Sequence, residues 1–280
     1  MNAHAVAVAL ALLAGAPLAA QELPPEPARP KQPAATRPPP SVEPGPDGNW
    51  FVNASFEDGP EPWWSFAREN PFAWSDFSVT EERARSGRFS ALLDMDSGRY
   101  EDPSVRIYGV IQEAASGVAP EKLSGWYRVE GWERGTPKQY LQVVVIVWNA
   151  RRMPQGVRSV GNYQMAYVLG GVDAPPLSIT NRKFIFTHAR RGPLIADAPD
   201  PVQDEWVFFE FDLREDFRKH WGIEPRDFEC LRVLFEVRYD GRTADEPPAR
   251  ARVYYDDLYL GEASRREQAA RWKTDPAADE

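Results

Sequence analysis

The stretch ECLRVLFEVRY, residues 229–239, sets Leu231, Val233, Phe235, Val237 and Tyr239 on alternate positions. Successive side chains of a strand point to opposite sides, so this period of two predicts a strand with one buried face. Cys230, Arg232, Leu234, Glu236 and Arg238 fall on the other face. The same period runs through EWVFFEFDL, with Val207, Phe209, Phe211 and Leu213, and through RFSALLDM, with Phe89, Ala91, Leu93 and Met95. YLQVVVIVWN is nearly continuous in apolar residues, as expected of a central strand covered on both faces. Further strands are expected at 50–56, 72–79, 104–112, 123–130, 163–169, 183–188 and 252–260, with Gly, Pro, Asn and Asp between them.

One helix interrupts the strands. Asp212 and Glu215 have the spacing of a capping box, and LREDFRKHW stops at Gly222. Strands do not alternate with helices, so a parallel sheet is not expected. The pattern predicts an all-β fold, an antiparallel β-sandwich of jelly-roll type with one short inserted helix.

Both ends of the chain differ from its middle. Residues 3–20 are apolar and alanine-rich and end in Leu18-Ala19-Ala20, which reads as a signal peptide over 1–20. An uncleaved N-terminal anchor is the alternative; once the signal is removed, no other segment is apolar enough to span a membrane. Residues 21–48 are dense in proline and read as an extended, disordered linker. The domain is expected over 49–262, and 263–280 reads as a polar, frayed tail with at most one helical turn. The expected location is secreted, periplasmic or cell-surface, in a bacterium. A net charge of −9 argues against a nucleic-acid partner, because phosphate binding needs a basic surface. Cys230 is the only cysteine, so an intrachain disulfide is excluded.

VYYDDLYLGE, residues 253–262, contains a conflict. By strict alternation Asp256 shares a face with Leu258 and Leu260, and a buried carboxylate is costly unless something pairs with it. Three stretches supply an answer by resemblance. NWFVNASFEDGPEPWW, EERARSGRFSALLD and ARVYYDDLYLGE occur in that order, and KLSGWYRVEG lies between the second and third. Together they resemble the galactose-binding-like jelly rolls, particularly the carbohydrate-binding modules of secreted bacterial glycanases. The resemblance is thin over residues 150–200, which read as insertions. It implies a structural calcium where the domain ends meet. Glu57 and Asp256 would give carboxylates, Glu82 (or Glu81) a third, and Ser55 and Arg85 backbone carbonyls. The alternative for Asp256 is hydrogen bonding to Arg85 or to backbone amides without a metal. Asp257 is expected to be solvated.

Chemistry is sparse. His188, in FIFTHARRG beside Arg190 and Arg191, is the one candidate for a lyase base, set against a plain strand-end histidine. No nucleophile elbow, phosphate loop or His-Glu-x-x-His occurs. The chain carries ten Trp, ten Tyr and fourteen Phe, and flat aromatic faces stack on sugar rings. Trp63 and Trp64 in PEPWWSF lead as carbohydrate-binding residues, with Trp74 and Trp148 behind them. The sequence therefore reads as a secreted, non-catalytic module that binds a polysaccharide or glycan. A structural or interaction domain of the cell envelope without a sugar site is the second reading. A polysaccharide lyase or glycoside hydrolase is the third, so an enzyme is the less favoured reading.

Overall fold

The structure is a computed structural model. It describes residues 38–100, 104–148, 163–172, 184–188, 192–193, 200–222, 228 and 230–274, all within one compact unit, Ala35–Glu280. The signal-peptide stretch 1–20 and most of the proline-rich linker lie outside the described residues, as does much of 149–199. The elements run in chain order: β1 (Trp74–Ser75), β2 (Ser78–Thr80), β3 (Ser90–Asp96), β4 (Val105–Ala114), β5 (Lys122–Glu133), β6 (Lys138–Trp148), β7 (Tyr163–Val172), β8 (Phe184–His188), β9 (Gly192–Pro193), β10 (Trp206–Asp212), α1 (Leu213–Trp221), β11 (Cys230–Asp240), β12 (Arg250–Gly261) and α2 (Arg266–Thr274).

The strands form two sheets, β1-β4-β11-β6-β7-β8-β9 and β10-β5-β12-β3-β2. The chain crosses from sheet to sheet at β1 to β2, β3 to β4, β4 to β5, β5 to β6, β9 to β10, β10 to β11 and β11 to β12. This interleaving makes the fold a jelly-roll sandwich. Pairing is antiparallel except for β1 with β4 and β7 with β8, which are parallel.

The core lies between the sheets, and the alternation read in β11 places it. Leu231, Val233, Phe235, Val237 and Tyr239 are fully buried. Phe235 pairs with Val110 of β4 and Val143 of β6, and its ring meets Phe209 and Tyr255 of the opposite sheet. The other face of β11 is also covered, which period two alone does not anticipate. There Leu234 joins Ile111, Val144 and Ala166, with Trp64, Phe66 and Trp74 packed against them. Beside this patch Glu236 is buried and accepts from Gln142 Nε2 at 2.7 Å, and burial pushes its carboxyl above the usual range.

Three segments depart from the sequence reading. Residues 50–56 form bends and turns instead of a strand. They still lie beside β12, because the Asn49 amide donates to Leu258 O at 2.9 Å and accepts from Leu260 N at 3.0 Å. Two main-chain bonds add to it, Trp50 N to Leu260 O at 2.8 Å and Leu258 N to Ala54 O at 3.1 Å. Residues 72–79 yield only the short β1 and the start of β2. The capping box at α1 does not form: Asp212 makes no side-chain cap and is paired with Lys122 instead. The C-terminal stop holds, with Gly222 at φ 68° and its N–H on Arg218 O.

The C-terminal tail is the larger correction. Residues 266–274 form α2, which docks on the second sheet. Ala269 is buried, Trp272 meets Trp126 edge-on at 4.9 Å, and Glu210 accepts from Arg265 N and Arg266 Nε. At the other end Ser41 pairs in parallel beside the end of β4, its N–H donating to Glu113 O at 2.9 Å and its carbonyl accepting from Ala115 N at 2.8 Å. Removing residues 264–280 uncovers Trp126 and is expected to cost about 1–3 kcal/mol from lost apolar burial. Urea melts of the truncated and full chains check this, and equal midpoints would contradict the docking.

Candidate functional site

The aspartates of β12 sit at a bulge. Asp256 pairs with Trp126 and Tyr259 with Ser124, so three steps on β12 oppose two on β5. Asp257 is the extra residue, at φ 48°. The slip returns Leu258 and Leu260 to the core and leaves Asp256 on the outer row with Trp126, beneath the turn that follows β2. Asp256 is fully buried there. Its Oδ2 accepts from Arg85 N at 2.7 Å and Ser86 N at 3.3 Å, and its Oδ1 accepts from Asp257 N at 2.7 Å. Burial, and then the charge of Asp257, push its carboxyl up to about 8 against the pull of the three amides. Asp257 is not simply solvated. It takes Ser55 Oγ and Ser86 Oγ on one oxygen and Arg85 Nη1 at 2.9 Å on the other.

The carboxylates that the resemblance places around calcium are held by protein donors. Glu57 Oε1 accepts from Arg88 N and Phe89 N, each at 2.9 Å, and Glu82 turns away to Arg252 at 2.6 Å. A Cβ on Gly87, at φ 61°, would come within 2.4 Å of Glu57 Oε1, so the turn needs glycine to admit this carboxylate. The Ser55 hydroxyl and the Arg85 amide and guanidinium are engaged with the two aspartates, whereas the resemblance calls on the carbonyls of these two residues. Main-chain N–H groups facing these carboxylates serve them as donors. Among the described residues no three His, Cys, Asp or Glu side chains gather as a metal group.

The paired tryptophans divide. Trp63 is 3% exposed and packs against Phe51, Phe56 and Phe235, with Nε1 donating to Asn53 O at 2.8 Å. Most of this ring is therefore core, where the sequence reading placed it in an exposed loop. Trp64 is half-buried and points the other way, to the outer face of the first sheet. It meets Phe66 edge-on at 4.9 Å, and Phe66 meets Trp74 at 5.0 Å. The Arg232 guanidinium lies 5.1 Å from the Trp64 ring. Trp64 is thus fixed by its neighbours, and main-chain bonds with Ile111 in both directions hold its backbone to β4. Trp148 closes β6 opposite Cys230, and His188 closes β8 opposite Val168; their side chains lie outside the described residues.

Trp64 lines a groove of about 310 Å³ with Glu61, Ser65, Arg68, Asp76 and Phe77, and the largely buried Trp63 also borders it. Ser65 Oγ donates to Asp76 Oδ1 at 2.7 Å, which spans the two ends of the loop. The groove therefore sets aromatic surface beside carboxylates, a hydroxyl and a guanidinium. Of its lining, Trp63 and Trp64 were singled out from sequence. The polar residues flank them within the same loop, and that proximity was the available signal.

The chain is a jelly-roll β-sandwich. No family model matches it, and neither does any curated protein. Among solved structures it is similar to TmCBM61 in complex with beta-1,4-galactotriose, at 13% identity and a TM-score of 0.37, covering 77% of this chain and 99% of that one. It is also similar to CBM28, a non-crystalline cellulose specific carbohydrate-binding module, at 12% identity and a TM-score of 0.35, covering 80% and 99%. A third similar structure is a putative glycoside hydrolase from Bacteroides vulgatus, at 11% identity and a TM-score of 0.35, covering 66% and 76%. The likeness is one of strand arrangement.

Proposed function

We propose that this protein is a secreted, non-catalytic carbohydrate-binding protein, and that it holds a short run of a neutral polysaccharide in the groove at Trp64. The observation that carries the reading is the division of labour between adjacent tryptophans. Trp63 pins the loop into the core, and Trp64 presents part of a fixed ring to a groove lined with hydrogen-bonding groups. A sugar has an apolar ring face and a rim of hydroxyls, and this pairing of surfaces is complementary to both. Stacking on one ring contributes on the order of 1–2 kcal/mol. With a few hydrogen bonds to Glu61, Arg68 or Asp76, the affinity falls in the roughly micromolar to millimolar range. Export of the chain fits the apolar stretch 3–20 and the proline-rich run after it.

The test is retention of the purified chain on a panel of immobilised β-glycans and plant-type polysaccharides, with assay of released reducing ends and unsaturated products. Retention without release is the expected result. Indifference to the whole panel would favour an envelope scaffold. Release that disappears in His188→Ala would favour an enzyme.

A further inference from the structure

A second cavity, of about 370 Å³, lies against α2 at the outer side of the second sheet. It shares no lining residue with the groove at Trp64. Its volume is in the range of small-molecule sites, about 300–1,000 Å³. Two of the groups that line it are poorly satisfied. Ser124, in the middle of β5, is 1% exposed, and its hydroxyl has no hydrogen-bond partner among the described residues. A buried hydroxyl left unpaired costs free energy, so such a group marks a place where something else bonds. Arg265 buries its Nε, also without a partner among the described residues. Its other nitrogens reach Gln268 Oε1 at 3.4 Å and the Asp47 carbonyl and carboxylate at 3.5 Å, the outer limit of hydrogen bonding, and its guanidinium lies 4.1 Å from the Tyr259 ring.

The charges lining the cavity decide the class of ligand. Arg85 and Arg265 stand against Asp47 and Asp257. Arg85 is committed: it holds Asp257 at 2.9 Å, and its guanidinium lies 4.7 Å from the Trp126 ring and 4.6 Å from the Trp272 ring. An anion would sit beside two carboxylates, and a cation beside two guanidiniums. A neutral molecule that both donates and accepts hydrogen bonds meets neither penalty. We infer that this cavity binds a small neutral polyhydroxylated molecule, a monosaccharide, disaccharide or polyol, through Ser124 and Arg265. The inference does not depend on the groove at Trp64.

The test uses the full chain and its Trp64→Ala variant, which removes the groove's ring. Glucose, galactose, cellobiose and sorbitol are titrated by calorimetry, with glucuronate and glucosamine as charged counterparts. At least one neutral probe is expected to bind saturably, with equal affinity for both chains. Ser124→Ala should weaken that binding roughly tenfold, the worth of one net hydrogen bond. It should not lower the melting temperature, since it deletes only an unpaired hydroxyl. Arg265→Gln should weaken binding as well and guards against an effect peculiar to the strand. Three outcomes overturn the inference: no saturable binding of any neutral probe up to about 100 mM, wild-type affinity in both variants, or tighter binding of a charged counterpart. If Trp64→Ala alone abolishes binding, the ligand belongs to the groove and this cavity has none.

Discussion

Trp63→Ala is expected to destabilise the fold by about 3–5 kcal/mol, the usual cost of emptying a buried tryptophan site. Trp63 touches Phe51 and Phe56 from its own loop region and Phe235 from the centre of β11. Truncation leaves a void among three rings and strips Asn53 O of the indole N–H. For a domain of this size the loss corresponds to a fall in melting temperature on the order of 10 °C. The adjacent Trp64→Ala is expected to shift it by no more than a few degrees, because that ring is only half-buried. Thermal melts of both variants decide the matter. Similar shifts in the two would mean that the loop is not anchored through Trp63.

The second large effect is one of pH. An unfolded aspartate titrates near 3.9, to within about a unit. Folded Asp256 titrates at about 8, because it is buried and faces Asp257. The folded state therefore binds the proton more tightly than the unfolded state. This contribution to stability is complete below about pH 4 and is lost progressively as the pH rises toward 8. Its size is on the order of 2–5 kcal/mol, the lower part allowing for relaxation around the ionised group. Asp256→Asn carries no proton to lose. Its carbonyl keeps the bonds from Arg85 and Ser86, while its NH₂ replaces the oxygen that met Asp257 N, a cost independent of pH. Urea melts between pH 4.5 and 8.5, with chelator present, should show wild type losing stability relative to the variant as the pH rises. Parallel profiles would contradict the account of Asp256.

Much of this fold was legible because it is local. The alternation in residues 230–239 assigned the inward side of β11 correctly, and Gly222 marked the end of α1. The bulge at Asp256 was legible too, although strict alternation overlooks it. The core residues of β12 are Val253 and Tyr255, then Leu258 and Leu260. The change from odd to even numbers is a phase slip of one residue, and the two aspartates stand at the slip. Trp63 was misread because its partner Phe235 lies far along the chain, and a proline-flanked loop looks exposed until the sheet behind it is known. The tail was misread because α2 has a polar composition. Its docking rests on Ala269, Trp272 and two arginines that find Glu210, all across a surface that does not exist until β5 and β10 have paired. The groove was half-legible: the loop with its two tryptophans stands out in the sequence, but which ring is buried depends on the sheet behind it.

The central claim is that Trp64 is the stacking platform of a glycan site. The most direct measurement is the dissociation constant of a retained oligosaccharide for wild type and Trp64→Ala, with the melting temperature taken on the same samples. Loss of about 1–2 kcal/mol of stacking predicts binding weakened by roughly tenfold or more, with a melting shift of only a few degrees. An unchanged dissociation constant in a folded Trp64→Ala chain would contradict it.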